Sequence, residues 1–296
     1  MNINSDFLDK HNVSGPRYTS YPPANFFHTK FTTEDYIEQL IASNTQYPEN
    51  ISLYVHIPFC PQRCHFCGCN TDAGQKKSVV ERYINAVIQE IETVSSHLDT
   101  KNRKVTQIHW GGGTPNAIAM SFIEKIMNAI REKFIIDEKA EIAIECSPAY
   151  LEFSHIDQLA AMGFNRMSLG IQDFREDVLA AVNRQGPRHP VKEIVDYLRT
   201  KGFNGINLDF IYGLPLQNIE SLQETIQKAI EIKPDRIVTF SYAHVPWVKE
   251  EQKKLEKIGL PTPNEKMEML INNIKQLVAA GYVAIGIDHF ARPDDQ

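Results

Sequence analysis

The chain has no apolar run of the length that a membrane-spanning helix needs, about 20 mostly apolar residues. It also has no basic stripe: the longest basic runs are the pairs Lys76-Lys77 and Lys253-Lys254, and the formal net charge is −6. These absences predict no membrane span and no nucleic-acid partner, because nucleic-acid sites need clustered basic residues. An anionic small molecule is still compatible, since a pocket can be locally basic inside an acidic protein.

Cysteine is scarce and unevenly placed. There are five cysteines in 296 residues, and four of them fall within ten positions: Cys60, Cys64, Cys67 and Cys69, with Cys146 far away. An odd and crowded set is not a disulfide framework. The polar start MNINSDFLDKHN has no apolar core, so we expect no secretory signal. Together these features predict a cytoplasmic protein whose cysteines bind metal.

Strand-like and helix-like segments alternate from residue 51 onward. The predicted strands are Leu53–Ile57, Val105–Trp110, Ala140–Glu145, Arg166–Ile171, Gly205–Ile211, Arg236–Ser241 and a short one at Tyr282–Ile285. The predicted helices are Ser78–Leu98, Met120–Lys133, Ser154–Met162, Pro190–Thr200, Ile219–Ile230 and Asn264–Ala280. This alternation predicts parallel strands with right-handed crossovers.

Six such units fit an α/β fold of the incomplete (β/α)6 TIM-like barrel type. An open doubly wound sheet would show the same alternation. Residues 1–45 are interpreted as an N-terminal arm with a short helix near Thr33–Ala42, and residues 46–296 as the partial barrel.

The cysteine loop, PFCPQRCHFCGCN, carries the strongest chemical signal. Cys60, Cys64 and Cys67 have the spacing C-x3-C-x2-C and follow a predicted strand. Because [4Fe–4S] clusters normally take four cysteines, three thiolates would leave one iron open to a small molecule. The alternative is a zinc site that uses Cys69 as a fourth ligand. Structural zinc usually has two separated ligand pairs, so four ligands this close together favour the cluster.

A second motif, Gly111-Gly112-Gly113-Thr114-Pro115, follows the strand that ends at Trp110. Glycines allow the backbone to approach a ligand with no side chain in the way. The alternative is a tight turn in which Thr114 is an N-cap and Pro115 is the first helical residue.

Four polar residues lie at or just beyond the predicted strand ends: Glu145, Gln172, Arg184 and Asp209. In a barrel of parallel strands, polar residues at these ends are typical of an active site. Asp209 interrupts an apolar run, where a carboxylate needs a partner. The alternatives are a buried structural hydrogen bond for Asp209, a solvated surface position for Arg184, a helix cap for Glu145 and a loop hydrogen bond for Gln172.

The cysteine loop resembles that of the radical S-adenosylmethionine (SAM) enzymes. The longer string LYVHIPFCPQRCHFCGCN is closest to one branch of them, the oxygen-independent coproporphyrinogen III oxidases. Further segments are similar to the same branch and run in order from Gly15 to Asp295: GPRYTSYPPANFF, HWGGGTP, IAIECSP, SLGIQDF, VNRQ, NLDFIYGLP, SYAHVPW and IGIDHFARPDD. One departure is that Cys146-Ser147-Pro148 follows Glu145, where the family often has an aspartate before the proline. The family also continues with a C-terminal region that this chain lacks.

The resemblance implies a [4Fe–4S] cluster on Cys60, Cys64 and Cys67 and two molecules of SAM. The implied contacts of the cluster-bound SAM are Tyr54, Gly112, Glu145 and Ala243. The implied contacts of the second SAM are Phe66, Gly113, Thr114, Gln172, Arg184 and Asp209. The implied reaction converts two propionate side chains of coproporphyrinogen III into vinyl groups, giving protoporphyrinogen IX for haem biosynthesis. It requires a porphyrinogen substrate and an electron donor, whose identity the sequence does not give, and we expect a monomer.

Two alternative functions stay open. Paralogues of this family keep the cluster loop but act as haem chaperones; they typically carry an aspartate and an aromatic residue where this chain has Gly68 and Cys69. A radical SAM enzyme for another tetrapyrrole is the second alternative. The GPRYTSYPP arm lies near the porphyrin pocket if the resemblance extends to it, or is a proline-stiffened tail that packs on the barrel.

Overall fold

The computed structural model describes residues 26–295, which contain an eight-stranded sheet covered by helices. The strands are β1 (Ile51–Ile57), β2 (Phe59–Cys60), β3 (Asp72–Ala73), β4 (Lys104–Gly112), β5 (Ile135–Cys146), β6 (Arg166–Gln172), β7 (Gly205–Tyr212), β8 (Arg236–Ser241), β9 (Val283–Ala284) and β10 (His289–Ala291). The helices are α1 (Thr33–Ala42), α2 (Lys77–Ser95), α3 (Met120–Lys133), α4 (Phe153–Ala161), α5 (Glu176–Ala181), α6 (Val191–Thr200), α7 (Ile219–Ile232), α8 (Lys253–Glu256) and α9 (Pro263–Ala279).

The strand order distinguishes between the two architectures that the sequence allowed. The large sheet runs β1-β4-β5-β6-β7-β8-β10-β9, so the first six strands follow chain order with no reversal. All five pairings among these six strands are parallel. A doubly wound sheet would reverse its order at a switch point. The prediction of an incomplete six-unit barrel is therefore confirmed.

The last two strands change direction. β10 pairs antiparallel with β8 and with β9. The sequence predicted β9 but missed β10, because three residues are too few to show a periodicity. It also missed α5, a six-residue helix in the connection between β6 and α6. Most other predicted boundaries lie within three residues of the observed ones, whereas β5 begins at Ile135, five residues before its predicted start.

The two faces of the barrel strands differ in chemistry. In β6, Leu169 and Ile171 are buried in the main apolar core, whereas Ser168 and Gly170 line an internal cavity. Alternate residues of a strand point to opposite faces, so the apolar set packs against the helices and the other set faces the barrel interior. No helix in the described part of the chain combines the length and the apolar character needed to cross a membrane.

Helix α1 begins with a capping box, in which Thr32 accepts from the backbone N–H of Asp35 and the Asp35 carboxylate accepts from that of Thr32. The predicted helix at this place is confirmed. The remainder of the predicted arm, including GPRYTSYPP, lies outside the described residues. The division between residues 45 and 46 stays a prediction.

The amino-terminal ends of the strands are joined by a buried ion cluster. The Asp295 carboxylate contacts Arg166 of β6 at 3.0 Å and Arg236 of β8 at 2.6 Å, and its side chain is 1% exposed. Arg166 also contacts Glu141 of β5 at 3.2 Å. This cluster ties three strands together at the end opposite the cysteine loop.

Candidate active site

The cysteine loop occupies residues 60–72 and leaves the barrel directly after β1. Its two ends are held together by the short parallel pair β2 and β3. The backbone N–H of Gly74 donates to the Cys60 carbonyl at 3.0 Å, and that of Cys67 to the Cys64 carbonyl at 3.2 Å. The loop is thereby closed on itself at the carboxyl ends of the strands, where barrel active sites lie.

A neighbouring loop anchors the cysteine loop from the side. The His65 N–H donates to the Val182 carbonyl at 2.9 Å. Asn183 donates to the Arg63 carbonyl at 2.8 Å, and Gln62 donates to the Asn183 carbonyl at 3.0 Å. These three bonds attach the loop to the segment that carries Arg184.

Each of the three thiols has its own polar partner. Thr114 donates to the Cys60 sulfur at 3.4 Å, and Arg184 donates to the Cys64 sulfur at 3.7 Å. Burial raises the pKa of both of these thiols. Cys67 differs, because a hydrogen bond with the Cys69 thiol lowers the pKa of Cys67 to about 6, and the same bond raises that of Cys69.

The three thiols lie together beside one cavity. All three line one cavity of about 180 Å³. Within residues 26–295, no three His, Cys, Asp or Glu side chains come together in a way that could hold one metal ion. Cysteine thiolates are the ligands that iron–sulfur clusters take, so the three cysteines beside this cavity are a suitable donor set.

The glycine loop after β4 packs directly against the cysteine loop. A Cβ atom on Gly113 would lie 2.6 Å from the Pro58 carbonyl oxygen, and one on Gly112 would lie 2.6 Å from the His56 ring. Gly112 also has a φ of +115°, which L-residues with a side chain rarely adopt. Both glycines therefore allow close packing against the protein's own atoms, and the predicted approach of this backbone to a ligand stays a prediction.

Thr114 occupies the N-cap position and Pro115 the first position of a short helix, as the alternative for this motif predicted. Pro115 begins a short 3-10 helix, Pro115–Ala117, but the Thr114 side chain makes no cap hydrogen bond. Its hydroxyl points to Cys60 instead, while its backbone N–H donates to the Phe59 carbonyl at 2.9 Å. The residue thus contacts the cysteine loop twice.

Glu145, the penultimate residue of β5, does not cap the next helix, whose N-cap is Ser147. His109 of β4 lies with its Nε2 3.1 Å from Glu145 Oε1. The His109 ring stacks on Tyr54 of β1, with ring centroids 5.9 Å apart and planes at 13°. A Cβ on Gly111 would lie 2.9 Å from the Glu145 carboxylate. Three adjacent strands therefore define the position of this carboxylate, which lines the cavity.

Asp209 lies at the inner face of β7 within a polar triangle. Ser168 donates to its carboxylate at 2.6 Å and Asn207 donates to it at 2.7 Å. Asn207 also donates to the Ser168 hydroxyl at 2.8 Å. Burial raises the pKa of Asp209 to about 6, and the two hydrogen bonds oppose this shift. The Asp209 carboxylate therefore makes the buried structural hydrogen bonds that were the alternative for it, and it also lines the cavity.

Arg184 and Gln172 approach each other across Gly170. Arg184 donates to the Gly170 carbonyl as well as to Cys64, so it is not the solvated surface residue of the alternative interpretation. Gln172 has a φ of +70°, which is uncommon for a residue with a side chain and occurs most at functional sites and turns. A Cβ on Gly170 would lie within 3.0 Å of both side chains, so only glycine leaves room for this arrangement.

Most of the predicted site residues meet in this one cavity. Its lining includes the three cysteines and eight of the ten predicted SAM contacts: Phe66, Gly112, Gly113, Thr114, Glu145, Gln172, Arg184 and Asp209. Two do not line it. Tyr54 is 59% exposed and lies beside it, stacked on His109. Ala243 follows β8 and is joined to the cysteine loop through Gln252.

The structure adds residues that the sequence reasoning missed. Ser168 and Tyr150 also line the cavity, as does Cys69, which the sequence named only as an alternative zinc ligand, and His109 and Asn207 contact its carboxylates. The sequence did contain a signal for Ser168 and Asn207. Each is a polar residue two positions before a cavity-lining residue of its strand, Gly170 or Asp209, and alternate residues of a strand share a face. Tyr150 ends a short 3-10 helix, Pro148–Tyr150, and had no such signal.

Comparison with known proteins identifies the class. Residues 54–229 match the model of the radical SAM superfamily, which is more than half of the chain. The chain therefore belongs to the radical SAM superfamily, whose members use a [4Fe–4S] cluster and SAM.

The most similar relatives that we found belong to one branch of this superfamily. The chain is 43% identical over its whole length to the oxygen-independent coproporphyrinogen III oxidase of Synechocystis sp., and it covers 63% of that protein. It is 41% identical over 290 residues to the enzyme of the same name from Escherichia coli, and it covers 62% of it. The solved structure described as coproporphyrinogen III oxidase (HemN) from Escherichia coli, a radical SAM enzyme, superposes with a TM-score of 0.89 at 40% identity. That match covers 98% of this chain and 64% of the other, so the chain spans less than two thirds of these relatives.

Proposed function

We propose that this chain forms the radical SAM barrel of an oxygen-independent coproporphyrinogen III oxidase. The observation that carries the proposal is the single cavity in which three cysteine thiols, a glycine loop, two carboxylates and an arginine converge. The identity of 43% to an oxidase of this name selects this reaction among those of the superfamily.

In the proposed enzyme, Cys60, Cys64 and Cys67 ligate the [4Fe–4S] cluster. When bound, the cluster and SAM supply one-electron cleavage of a sulfonium bond, which yields a radical able to take hydrogen from an unactivated carbon. The protein supplies placement and exclusion of water. Thr114 and Arg184 hydrogen-bond two of the three sulfurs and so hold their orientation.

We assign Tyr54, Gly112, Glu145 and Ala243 to the cluster-bound SAM. SAM carries an ammonium and a carboxylate, so its recognition requires groups of both charges. Glu145 can accept from the ammonium, and His109 holds this carboxylate in place at 3.1 Å. Gly112 lines the cavity and has no side chain of its own that would obstruct the ligand.

The remaining contacts, Phe66, Gly113, Thr114, Gln172, Arg184 and Asp209, are assigned to a second SAM. Arg184 and Asp209 line the same cavity and carry opposite charges. An arginine can bind a carboxylate through two parallel hydrogen bonds, and an aspartate can accept from an ammonium or from sugar hydroxyls. Two SAM molecules suit a substrate with two propionates to convert.

The proposed reaction removes one hydrogen atom from the β-carbon of each propionate. Loss of CO₂ and of one electron to an acceptor then leaves a vinyl group, so coproporphyrinogen III becomes protoporphyrinogen IX. The proposed partners are the porphyrinogen, a one-electron donor for the cluster and an electron acceptor. We further propose a cytoplasmic monomer, because the clustered free cysteines suit a reducing compartment.

The test is anaerobic reconstitution of the chain with iron and sulfide, followed by SAM, a reductant and coproporphyrinogen III. We expect iron and sulfide in a cluster-like ratio, 5′-deoxyadenosine on reduction, and a product lighter by two CO₂ and four hydrogen atoms in mass spectrometry. A chain that binds haem stoichiometrically and converts no coproporphyrinogen would be a haem chaperone instead. Turnover of a different tetrapyrrole alone would also contradict the proposal.

A further inference from the structure

The segment that follows β8 lies against the cysteine loop. β8 ends at Ser241, and the chain then forms a 3-10 turn, Glu250–Gln252, which continues into α8. No motif in the sequence marks this turn as part of a site. We call residues 249–255 the clamp segment, because four of its side chains, those of Lys249, Glu251, Gln252 and Leu255, contact the cysteine loop or the apolar cluster against which Phe66 packs.

Gln252 is at the centre of the clamp segment and is only 1% exposed. Its amide nitrogen donates to the Phe66 carbonyl at 3.0 Å and to the Ala243 carbonyl at 3.1 Å. Its amide oxygen accepts from the Val245 N–H at 2.6 Å. One buried side chain therefore joins the cysteine loop to two positions of the segment after β8, and both its donors and its acceptor are used.

Residues on either side of Gln252 strengthen this contact. Lys249 donates to the Cys69 carbonyl at 3.2 Å. Leu255 is fully buried in a small apolar cluster against which Phe66 packs. The clamp segment thus contacts the cysteine loop by hydrogen bonds at two backbone carbonyls, by the Glu251 carboxylate 3.7 Å from the His65 ring nitrogen, and by apolar packing at the Phe66 ring.

We propose that Gln252 is a positioning residue that couples the cysteine loop to the segment after β8, so that the cluster side of the site and Ala243 keep a fixed separation. The coupling itself depends only on the fold. The effect of this coupling on SAM binding rests on the proposed function, which assigns Ala243 to the cluster-bound SAM and Phe66 to the second SAM. Gln252 touches neither SAM nor the cluster in this assignment.

The physical reason is the cost of breaking the bridge. If Gln252 is replaced by an apolar residue, the Val245 N–H and two carbonyls lose their buried partner, and a buried polar group without a partner is costly. The loops can recover these bonds only by moving apart to reach water. A displacement of even 1 Å in a preorganised site lowers its efficiency strongly.

The first test is hydrogen exchange, measured by mass spectrometry on the chain without cluster. In Gln252→Met we expect faster exchange in residues 60–72 and in residues 243–248 together, relative to the unaltered chain. Unchanged exchange in residues 60–72, or a change confined to the clamp segment, would overturn the coupling. Because no cluster is needed, this result is independent of the proposed function.

The matched control is Asn165→Leu. Asn165 also joins backbone groups through its amide, donating to the Ala140 carbonyl at 2.8 Å and accepting from the Ile142 N–H at 2.9 Å. It precedes β6 and so lies at the opposite end of the barrel. We expect it to destabilise the chain with no change in the cysteine loop. Equal acceleration of exchange in both variants would show that Gln252 acts through general stability, and would overturn its role as a positioning residue.

The second test uses the reconstituted chain. We expect Gln252→Met to assemble the cluster with unchanged iron content but to bind SAM about tenfold more weakly, a change of 1.4 kcal/mol. Gln252→Glu keeps the acceptor for the Val245 N–H and, when protonated, one donor, so it should fold and lose less SAM affinity. SAM affinity equal to that of the unaltered chain in both variants would overturn the link to the site. If the unaltered chain forms no cluster, the proposed function fails and the exchange result still stands.

Discussion

Thr114 donates a hydrogen bond from its hydroxyl to the sulfur of Cys60 at 3.4 Å. This bond joins the loop after β4 to the cysteine loop after β1, across the two parallel strands that carry them. A donor that points at a ligating sulfur stabilises the additional negative charge of a reduced cluster, and such bonds are among the factors that set cluster potentials.

The first prediction concerns this hydroxyl. Thr114→Val keeps the shape of the side chain and removes the donor, at a cost of about 1 kcal/mol for the lost bond. We expect the midpoint potential of the cluster to become more negative, with unchanged iron content, in a reductive titration followed by EPR. Thr114→Ser retains the hydroxyl and should keep the original potential. Equal potentials in the valine and serine variants would contradict the assignment.

The second prediction concerns the cysteines. Serine at Cys60, Cys64 or Cys67 should abolish cluster assembly, measured as iron and sulfide per chain after anaerobic reconstitution. Cys146→Ala is the control, because Cys146 is buried at 4% exposure in the apolar core and should cost only about 1 kcal/mol of packing. A serine variant with full iron content would remove that residue from the ligand set.

The third prediction concerns the contact between the two loops. Gly113→Ala places a methyl group 2.6 Å from the Pro58 carbonyl oxygen, so the backbone must move. We expect a loss of about 1–3 kcal/mol in the free energy of unfolding, as is typical of overpacking, and weaker SAM binding. Gly68→Ala makes the same substitution in the exposed part of the cysteine loop, where a Cβ meets nothing within 4 Å. In urea titrations, the free energy of unfolding of Gly68→Ala should be nearly equal to that of the unaltered chain.

The fourth prediction concerns Asp209 and pH. Burial raises its pKa to about 6, above the value of 3.8 for an unperturbed aspartate. The folded state therefore binds the proton more tightly than the unfolded state, and the stability of the chain should fall as pH rises from about 4 to about 6. Asp209→Asn removes the cost of burying the ionised carboxylate. We therefore expect it to raise the free energy of unfolding by about 1–2 kcal/mol at pH 8, and by less at pH 5. SAM binding should weaken at the same time.

The control for this effect is Asp137→Asn, because Asp137 has the opposite shift. A hydrogen bond from the Lys139 backbone N–H lowers the pKa of this exposed carboxyl. Its stabilising contribution is present above the unperturbed pKa and is lost as pH falls through the lowered one. The asparagine variant should therefore be slightly less stable than the unaltered chain at pH 8. A parallel pH dependence in the two variants would contradict the account of Asp209.

The sequence was most informative where periodicity and spacing were strong. The helix Met120–Lys133 and the strand Arg236–Ser241 were predicted at their observed boundaries, because each shows a clear apolar pattern between loops. The antiparallel β10 was missed because its pairing with β8 is a tertiary contact that three residues do not encode locally.

The site was predictable to the extent that its residues belong to motifs. The cysteine spacing and the glycine loop are local signals, and both loops were correctly expected to follow strands. The partner of each group was not predictable. His109 and Glu145 are 36 residues apart in the chain and meet only because β4 and β5 are adjacent. Gln252 joins Phe66 across 186 residues, and no local pattern announces such a contact.

The ion cluster at the amino-terminal ends of the strands has a practical consequence for any shortened version of this protein. Arg166 and Arg236 share the carboxylate of Asp295, which is almost fully buried. Removing one partner of a buried ion pair leaves an uncompensated charge and is strongly destabilising. A truncation before residue 295 would remove this carboxylate from Arg236 and leave Arg166 with Glu141, so we expect it to loosen the packing of β6 and β8 at this end of the barrel.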